Sequence, residues 1–273
     1  MLIEARNLSL DVSDMSHQVL VGRRRKLRIL KNVSLSIAKG ETVGLVGESG
    51  SGKTSLGRTL LRLYEPSEGQ LLFDGQDITH AGATALKPLR RRMQMIFQDP
   101  QSSLNPRHTI GGIIATALKL HGLDSSSSAI AAILGRVGLP NAVMTRYPHQ
   151  LSGGQRQRVG IARAIALKPD FVVADEIVSG LDVSTQAQVL DLLKGLRAEM
   201  GLALAFISHD LSVVRSLCAR VVIMKGGEIV EEGRTANVFA SPRTGFTRAL
   251  IDSIPLPEPR PGWLDMPDKA SIP

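Results

Sequence analysis

The chain has 273 residues, 43% of them hydrophobic, enough to bury one large core with a short tail left over. One cysteine, Cys218, excludes an internal disulfide and fits a reducing compartment, and no apolar run approaches the ~20 residues that span a bilayer. A net charge of +8 invites nucleic acid as a partner, but with 3% aromatics there are few side chains to stack on bases. The basic runs Arg23-Arg24-Arg25-Lys26 and Arg90-Arg91-Arg92 fit a solvated face or proximity to anionic lipid better than nucleic acid.

Residues 2–40 read as strands of an antiparallel unit with a polar loop near 13–26. Residues 41–97 read as the first part of an α/β core. There Glu41-Thr42-Val43-Gly44-Leu45-Val46 is apolar enough for a buried parallel strand. It runs into Gly47-Glu48-Ser49-Gly50-Ser51-Gly52-Lys53-Thr54, a complete G-x-x-x-x-G-K-[ST] phosphate loop followed by Ser55. Gly50 and Gly52 let the backbone approach phosphate oxygens without a Cβ in the way. The helix starting near Gly52 adds its positive end. Lys53 reaches the β- and γ-phosphates, and Thr54 offers a hydroxyl to Mg²⁺. This loop alone leaves kinases, GTPases and motor ATPases open.

The next strand ends at Met95-Ile96-Phe97-Gln98, where Gln98 can ligate Mg²⁺ or the attacking water and withdraw as a site opens. Residues ~105–165 read as mostly helical, with Ser125-Ser126-Ser127-Ser128 a loop or helix start. Within them, Leu151-Ser152-Gly153-Gly154-Gln155 opens a helix. Ser152 caps it, and Gly153 and Gly154 bare backbone N–H groups to an anion. Since the phosphate loop already holds one nucleotide, this second anion site is best used by a second chain, head to tail. Residues 169–232 return to alternating strand and helix. Phe171-Val172-Val173-Ala174-Asp175-Glu176 puts Asp175 where it can hold Mg²⁺, through water, and Glu176 where a general base belongs. Ala205-Phe206-Ile207-Ser208-His209 places His209 to contact the γ-phosphate and keep water and Glu176 in register. The other histidines, His17, His80, His108, His121 and His149, read as surface or packing residues. Residues 255–273 carry Pro255, Pro257, Pro259, Pro261 and Pro267, a spacing that favours an extended tail, with Trp263 a pin or partner contact.

Together these motifs resemble the nucleotide-binding subunit of an ATP-binding cassette (ABC) transporter over residues 2–254, with 255–273 a Pro-rich tail. The phosphate loop, Gln98, the signature 151–155, the acidic pair, Ser179-Gly180-Leu181-Asp182 (the D-loop) and His209 stand in family order. The segments 97–107, 178–188 and 246–250 are similar to the oligopeptide, dipeptide, opine and nickel importer group. The resemblance implies an α/β P-loop cassette with a RecA-like core, an antiparallel β-subdomain and a helical signature subdomain. It implies an ATPase with ATP and Mg²⁺, peripheral on the cytoplasmic face of the cell membrane. The implied partners are a second ATPase subunit (a copy or a relative), two transmembrane permease subunits and a separate substrate-binding protein. Nucleic acid or ribosomes, or a non-transport enzyme complex, are the alternative settings. Three departures stand out. Ile177 replaces the usual Pro, Gly180 replaces the usual Ala and should loosen its turn, and Val12 stands where the family has an adenine-stacking aromatic. Arg23, Arg24 or Arg25 could cover the base instead. Some relatives bind an iron–sulfur cluster through C-terminal cysteines; this tail has none, so no such cluster is expected.

Overall fold

The structure, a computed structural model, describes residues 1–13, 26–99 and 103–254. The expectations for His17, Arg23 to Arg25 and the Pro-rich tail therefore lie outside the described residues, as do residues 100–102 of the importer-like segment.

Two sheets form the frame. The first is antiparallel, in the order β2-β1-β4-β5, from β1 (Ile3–Ser13), β2 (Lys26–Ile37), β4 (Glu68–Phe73) and β5 (Gln76–Asp77). The second has the order β10-β9-β3-β8-β7-β6. Its members are β3 (Thr42–Val46), β6 (Met93–Ile96), β7 (Phe171–Asp175), β8 (Ala203–Ile207), β9 (Arg220–Lys225) and β10 (Glu228–Arg234). β9, β3, β8, β7 and β6 pair in parallel, and β10 pairs antiparallel on the edge. Every residue of β3, β7 and β8 is buried, as a sheet covered on both faces requires.

The sequence reading placed all of residues 41–97 in the ATPase core. The structure corrects this: β4 pairs with β1, Ile3 opposite Phe73 and Ala5 opposite Leu71, so residues 68–77 complete the antiparallel sheet. Helix α1 (Lys53–Leu60) lies between the sheets, with Leu56 and Leu60 fully buried in a core shared with Leu8, Leu30, Phe73, Val173 and Ile207.

The other face of the parallel sheet carries a second core. After α2 (Ala83–Arg92), the helical stretch contains α3 (Ile110–Leu120), α4 (Ser127–Arg136) and α5 (Gly153–Ile165). Ser126 caps α4 by accepting from Ala129 N–H, so the serine run is a helix start. α6 (Val183–Met200) and α7 (Leu211–Leu217) complete the core, and α8 (Thr235–Ala240) and α9 (Gly245–Asp252) follow β10. No helix among the described residues is long and apolar enough to cross a membrane.

Candidate functional site

The site lies at the C-terminal ends of β3, β6, β7 and β8, where parallel strands deliver their last residues together. Gly47 leaves β3 with φ 151, and an added Cβ would sit 2.1 Å from the Met224 carbonyl oxygen of β9. Only glycine fits that approach. Gly50 (φ 77) and Gly52 (φ 99) take left-handed backbone, as expected. Lys53, 6% exposed, folds back and donates from Nζ to the carbonyls of Gly47 and Glu48, both at 2.8 Å. Burial pushes the Lys53 ammonium below its ordinary pKa, while Glu176, Asp175 and Glu48 pull the other way.

Thr54 Oγ1 donates to Asp175 Oδ1 at 2.9 Å. Burial raises the Asp175 carboxyl above its ordinary pKa, partly opposed by the Thr54 hydroxyl and the Arg58 charge. Glu176 then turns the chain with φ 47, a left-handed value unusual for a residue with a side chain, and its N–H is held by Ile207 O at 2.9 Å. Its Oε2 accepts from Gln98 Nε2 at 2.9 Å and lies 3.5 Å from His209 Nδ1. Three residues expected to share one task thus converge on one carboxylate oxygen from three strands. Beside them is a cleft of about 130 Å³, lined by Glu176, Ser179, Leu181, Gln186, Ser208 and His209.

The loop and the acidic pair fit a nucleoside triphosphate with Mg²⁺. Ser51 Oγ is buried without a hydrogen-bond partner among the described residues, an acceptor or donor waiting for a polar group. Lys53 carries a positive charge, and Thr54 and Asp175 bring two hard oxygens side by side, a donor set that suits Mg²⁺. Ser55 lies in the first turn of α1, its carbonyl accepting from Thr59 Oγ1.

The signature forms as expected but does not reach this cluster. Ser152 Oγ accepts from Gln155 N–H, and Gln155 Oε1 accepts from Ser152 N–H, a reciprocal capping box on α5. Ser152 and Gly153 are exposed, and among the described residues no hydrogen bond joins 152–155 to 47–55. Gly154 is different: its Cβ would lie 2.5 Å from Thr185 Cγ2 of α6, so the two helix starts touch there.

Two roles were not read from the sequence, the helix caps made by Asp210 and Asp182. Asp210 caps α7 through Ser212 and Val213 N–H, and its own N–H is held by Ser208 Oγ, which steadies the backbone on both sides of His209. Asp182 caps α6 and binds the Thr185 hydroxyl at 2.7 Å. The Asp-x-Ser and Asp-x-x-Thr spacings carried a capping signal for both. Gly180 has φ 75, so its place in the turn is a left-handed one that glycine favours. Ile177 is buried, packing into the core where the family's Pro was expected.

The comparisons agree with this geometry. Residues 30–179 match the family model described as ABC transporter. The chain belongs to the ABC transporter family. It is 51% identical over 240 residues to a Brucella ovis protein with the provisional name of peptide import ATP-binding protein, covering 87% of this chain and 76% of that one. It is 48% identical over 238 residues to the glutathione import ATP-binding protein GsiA of Salmonella paratyphi A, covering 86% of this chain and 38% of that protein. Among solved structures, the dimeric cassette MJ0796 in a post-hydrolysis state with ADP and Pi superposes with a TM-score of 0.75 at 28% identity. That match covers 85% of this chain and 98% of the other. The fold is therefore the ABC cassette, and ATP is its nucleotide.

Proposed function

We propose that this chain is the ATP-hydrolysing subunit of an importer for peptides or related small solutes such as opines and metal chelates. It works as a head-to-tail pair with a copy of itself or a related subunit. Two membrane permease subunits and a separate binding protein complete the assembly, and the chain sits peripherally on the cytoplasmic face of the cell membrane. The names of relatives at about half identity support the cargo class. The observation that carries the chemistry is the meeting of Gln98, Glu176 and His209 beside the Thr54–Asp175 pair.

In this reading, the backbone N–H groups of residues 47–54 and Lys53 bind the phosphates of ATP, and Lys53 leaves its two carbonyl partners to do so. Thr54, Asp175 and Gln98 would hold Mg²⁺, which supplies charge neutralisation at the β- and γ-phosphates. Glu176 accepts a proton from a water as that water's oxygen bonds to the γ-phosphorus. The bond to the β,γ-bridging oxygen breaks, its electron pair leaves with ADP, and phosphate departs. Gln98 and His209 hold the Glu176 carboxylate in line from two sides. The partner's Ser152, Gly153 and Gly154 close over the same γ-phosphate, so that binding ATP closes the pair and hydrolysis releases it.

Native pull-down of the tagged chain tests the setting. Recovery of two polytopic membrane proteins, with ATPase stimulated by a peptide-loaded binding protein, is the expected result. Recovery of ribosomal proteins or nucleic acid with no membrane subunit would overturn it.

A further inference from the structure

The segment that carries Gln98 is held from outside its own strand. Arg163, in the last turn of α5, donates from Nη1 to the Ser103 carbonyl, and its guanidinium carbon lies 5.6 Å from the centre of the Phe97 ring. Phe97 and Ser103 flank Gln98 on either side in sequence. One planar cation therefore grips both flanks of the residue whose amide binds Glu176 at 2.9 Å. The grip has an electrostatic cost, because burial pulls the Arg163 pKa below its ordinary value. Aliphatic packing would cost less at a site that needed only to be filled.

The other end of the same helix is the signature. Ser152 caps α5 and Arg163 stands in its last turn, eleven residues on, about 16 Å along a helix at 1.5 Å per residue. A helix this short moves as a rod. When its N-terminus is drawn onto a nucleotide held by another chain, the tilt reaches the arginine, and the arginine carries Phe97 and Ser103 with it. We propose that Arg163 is a positioning residue that relays the placement of the signature helix to Gln98, and through Gln98 to Glu176 of the same chain. Engagement of one nucleotide by α5 thus tunes the water-activating carboxylate at the other. The role needs both a hydrogen-bonding fork and a flat face for Phe97. Arginine has both, whereas lysine is a point charge with neither. The inference rests on the hydrolytic reading above.

The test is a double-mutant cycle on the full chain, with kcat for MgATP and equilibrium ATP affinity measured for wild type, Arg163→Met, Gln98→Ala and the double variant. Arg163→Met should lower kcat about tenfold, equivalent to ~1.4 kcal/mol, with ATP affinity kept within about threefold. In the Gln98→Ala background the same change should add less than about twofold, because the relay has lost its target. In the nucleotide-free chain the side-chain amide resonance of ¹⁵N-labelled Gln98 should shift in Arg163→Met. Arg163→Lys keeps the charge and guards against loss of folding; it should lose most of the same activity. Independent, multiplying effects of the two substitutions would overturn the relay, as would full activity in Arg163→Lys or an unmoved Gln98 amide. Failure of both arginine variants to fold would also overturn it, by making Arg163 structural. A wild-type chain that does not hydrolyse ATP would instead overturn the hydrolytic reading on which the relay stands.

Discussion

Glu176 and Asp175 are adjacent, yet their surroundings assign them different work. Asp175 ends β7 at 3% exposure with a hydroxyl donor, while Glu176 turns out of the strand at φ 47 toward an amide and an imidazole. Replacing Glu176 by Gln keeps the shape but removes the proposed base. ATP hydrolysis should fall by at least ~10²-fold while ATP binding persists, and an ATP-bound dimer should accumulate on gel filtration. Near-normal turnover would place the base elsewhere. Asp175→Asn should act in two directions. The folded-state pKa of Asp175 is raised by burial, so the ionised form weighs against the folded chain at neutral pH. That penalty fades as pH falls through the folded pKa, and the amide removes it at every pH while still accepting from Thr54. The nucleotide-free variant should therefore melt higher than the wild type near pH 7, with the gain shrinking in acid. It should also lose the extra stability that MgATP gives the wild type, because a hard ligand is gone. An unchanged MgATP-induced rise in Tm would remove Asp175 from the metal's ligands.

At the scale of elements, the contact between the starts of α5 and α6 joins the signature to the D-loop. An Ala at 154 would place its Cβ 2.5 Å from Thr185 Cγ2, and Thr185 cannot turn away without breaking its 2.7 Å bond to Asp182. Gly154→Ala should cost about 1–3 kcal/mol of stability by overpacking, measured by urea unfolding. At Gly153 an added Cβ meets nothing within 4 Å, and Ala is the better helix former by roughly 1 kcal/mol. Gly153→Ala should be neutral or stabilising, with any loss confined to ATP-dependent dimerisation. Equal destabilisation by both would mean that helix starts in general, not this contact, set the cost. Such neighbours explain what was legible in the sequence and what was not. The phosphate loop, the acidic pair, Gln98, the signature cap and His209 were readable because each follows an apolar strand or opens a helix at a fixed offset. The pairing of residues 68–77 with β1 was not, because Ile3 and Phe73 find each other across the chain and no local period records it. Arg163 and Thr185 escaped for the same reason: their partners, Ser103 and Gly154, lie on other elements.

The whole molecule sets a phosphate site on the parallel sheet against the rim of the antiparallel one, and the base of a bound nucleotide must find its contacts across that junction. The junction is tight: Gly227, between β9 and β10, donates to Ser51 O at 3.1 Å and accepts from Lys31 N–H at 2.9 Å, tying the phosphate loop to β2. Val12 lies opposite Leu27 near the ends of β1 and β2, half-buried against the core, and Leu27 is 40% exposed. The Val12–Leu27 pair is aliphatic, so it offers dispersion contact but no π face. Aromatic stacking on a base is worth about 1–3 kcal/mol, or roughly 5- to 150-fold in affinity. With Val12 and Leu27 alone, most of the binding free energy comes from phosphates, and ATP and GTP should bind with similar affinity. Val12→Tyr should then tighten MgATP binding toward that range, measured by titration calorimetry, with each of Arg23→Ala, Arg24→Ala and Arg25→Ala silent. A loss confined to one arginine, with little gain from Val12→Tyr, would instead make that guanidinium the cover for the base. The two results exclude each other. A platform already supplied by arginine leaves a new ring little to add, while an uncovered base should reward the ring and ignore the arginines.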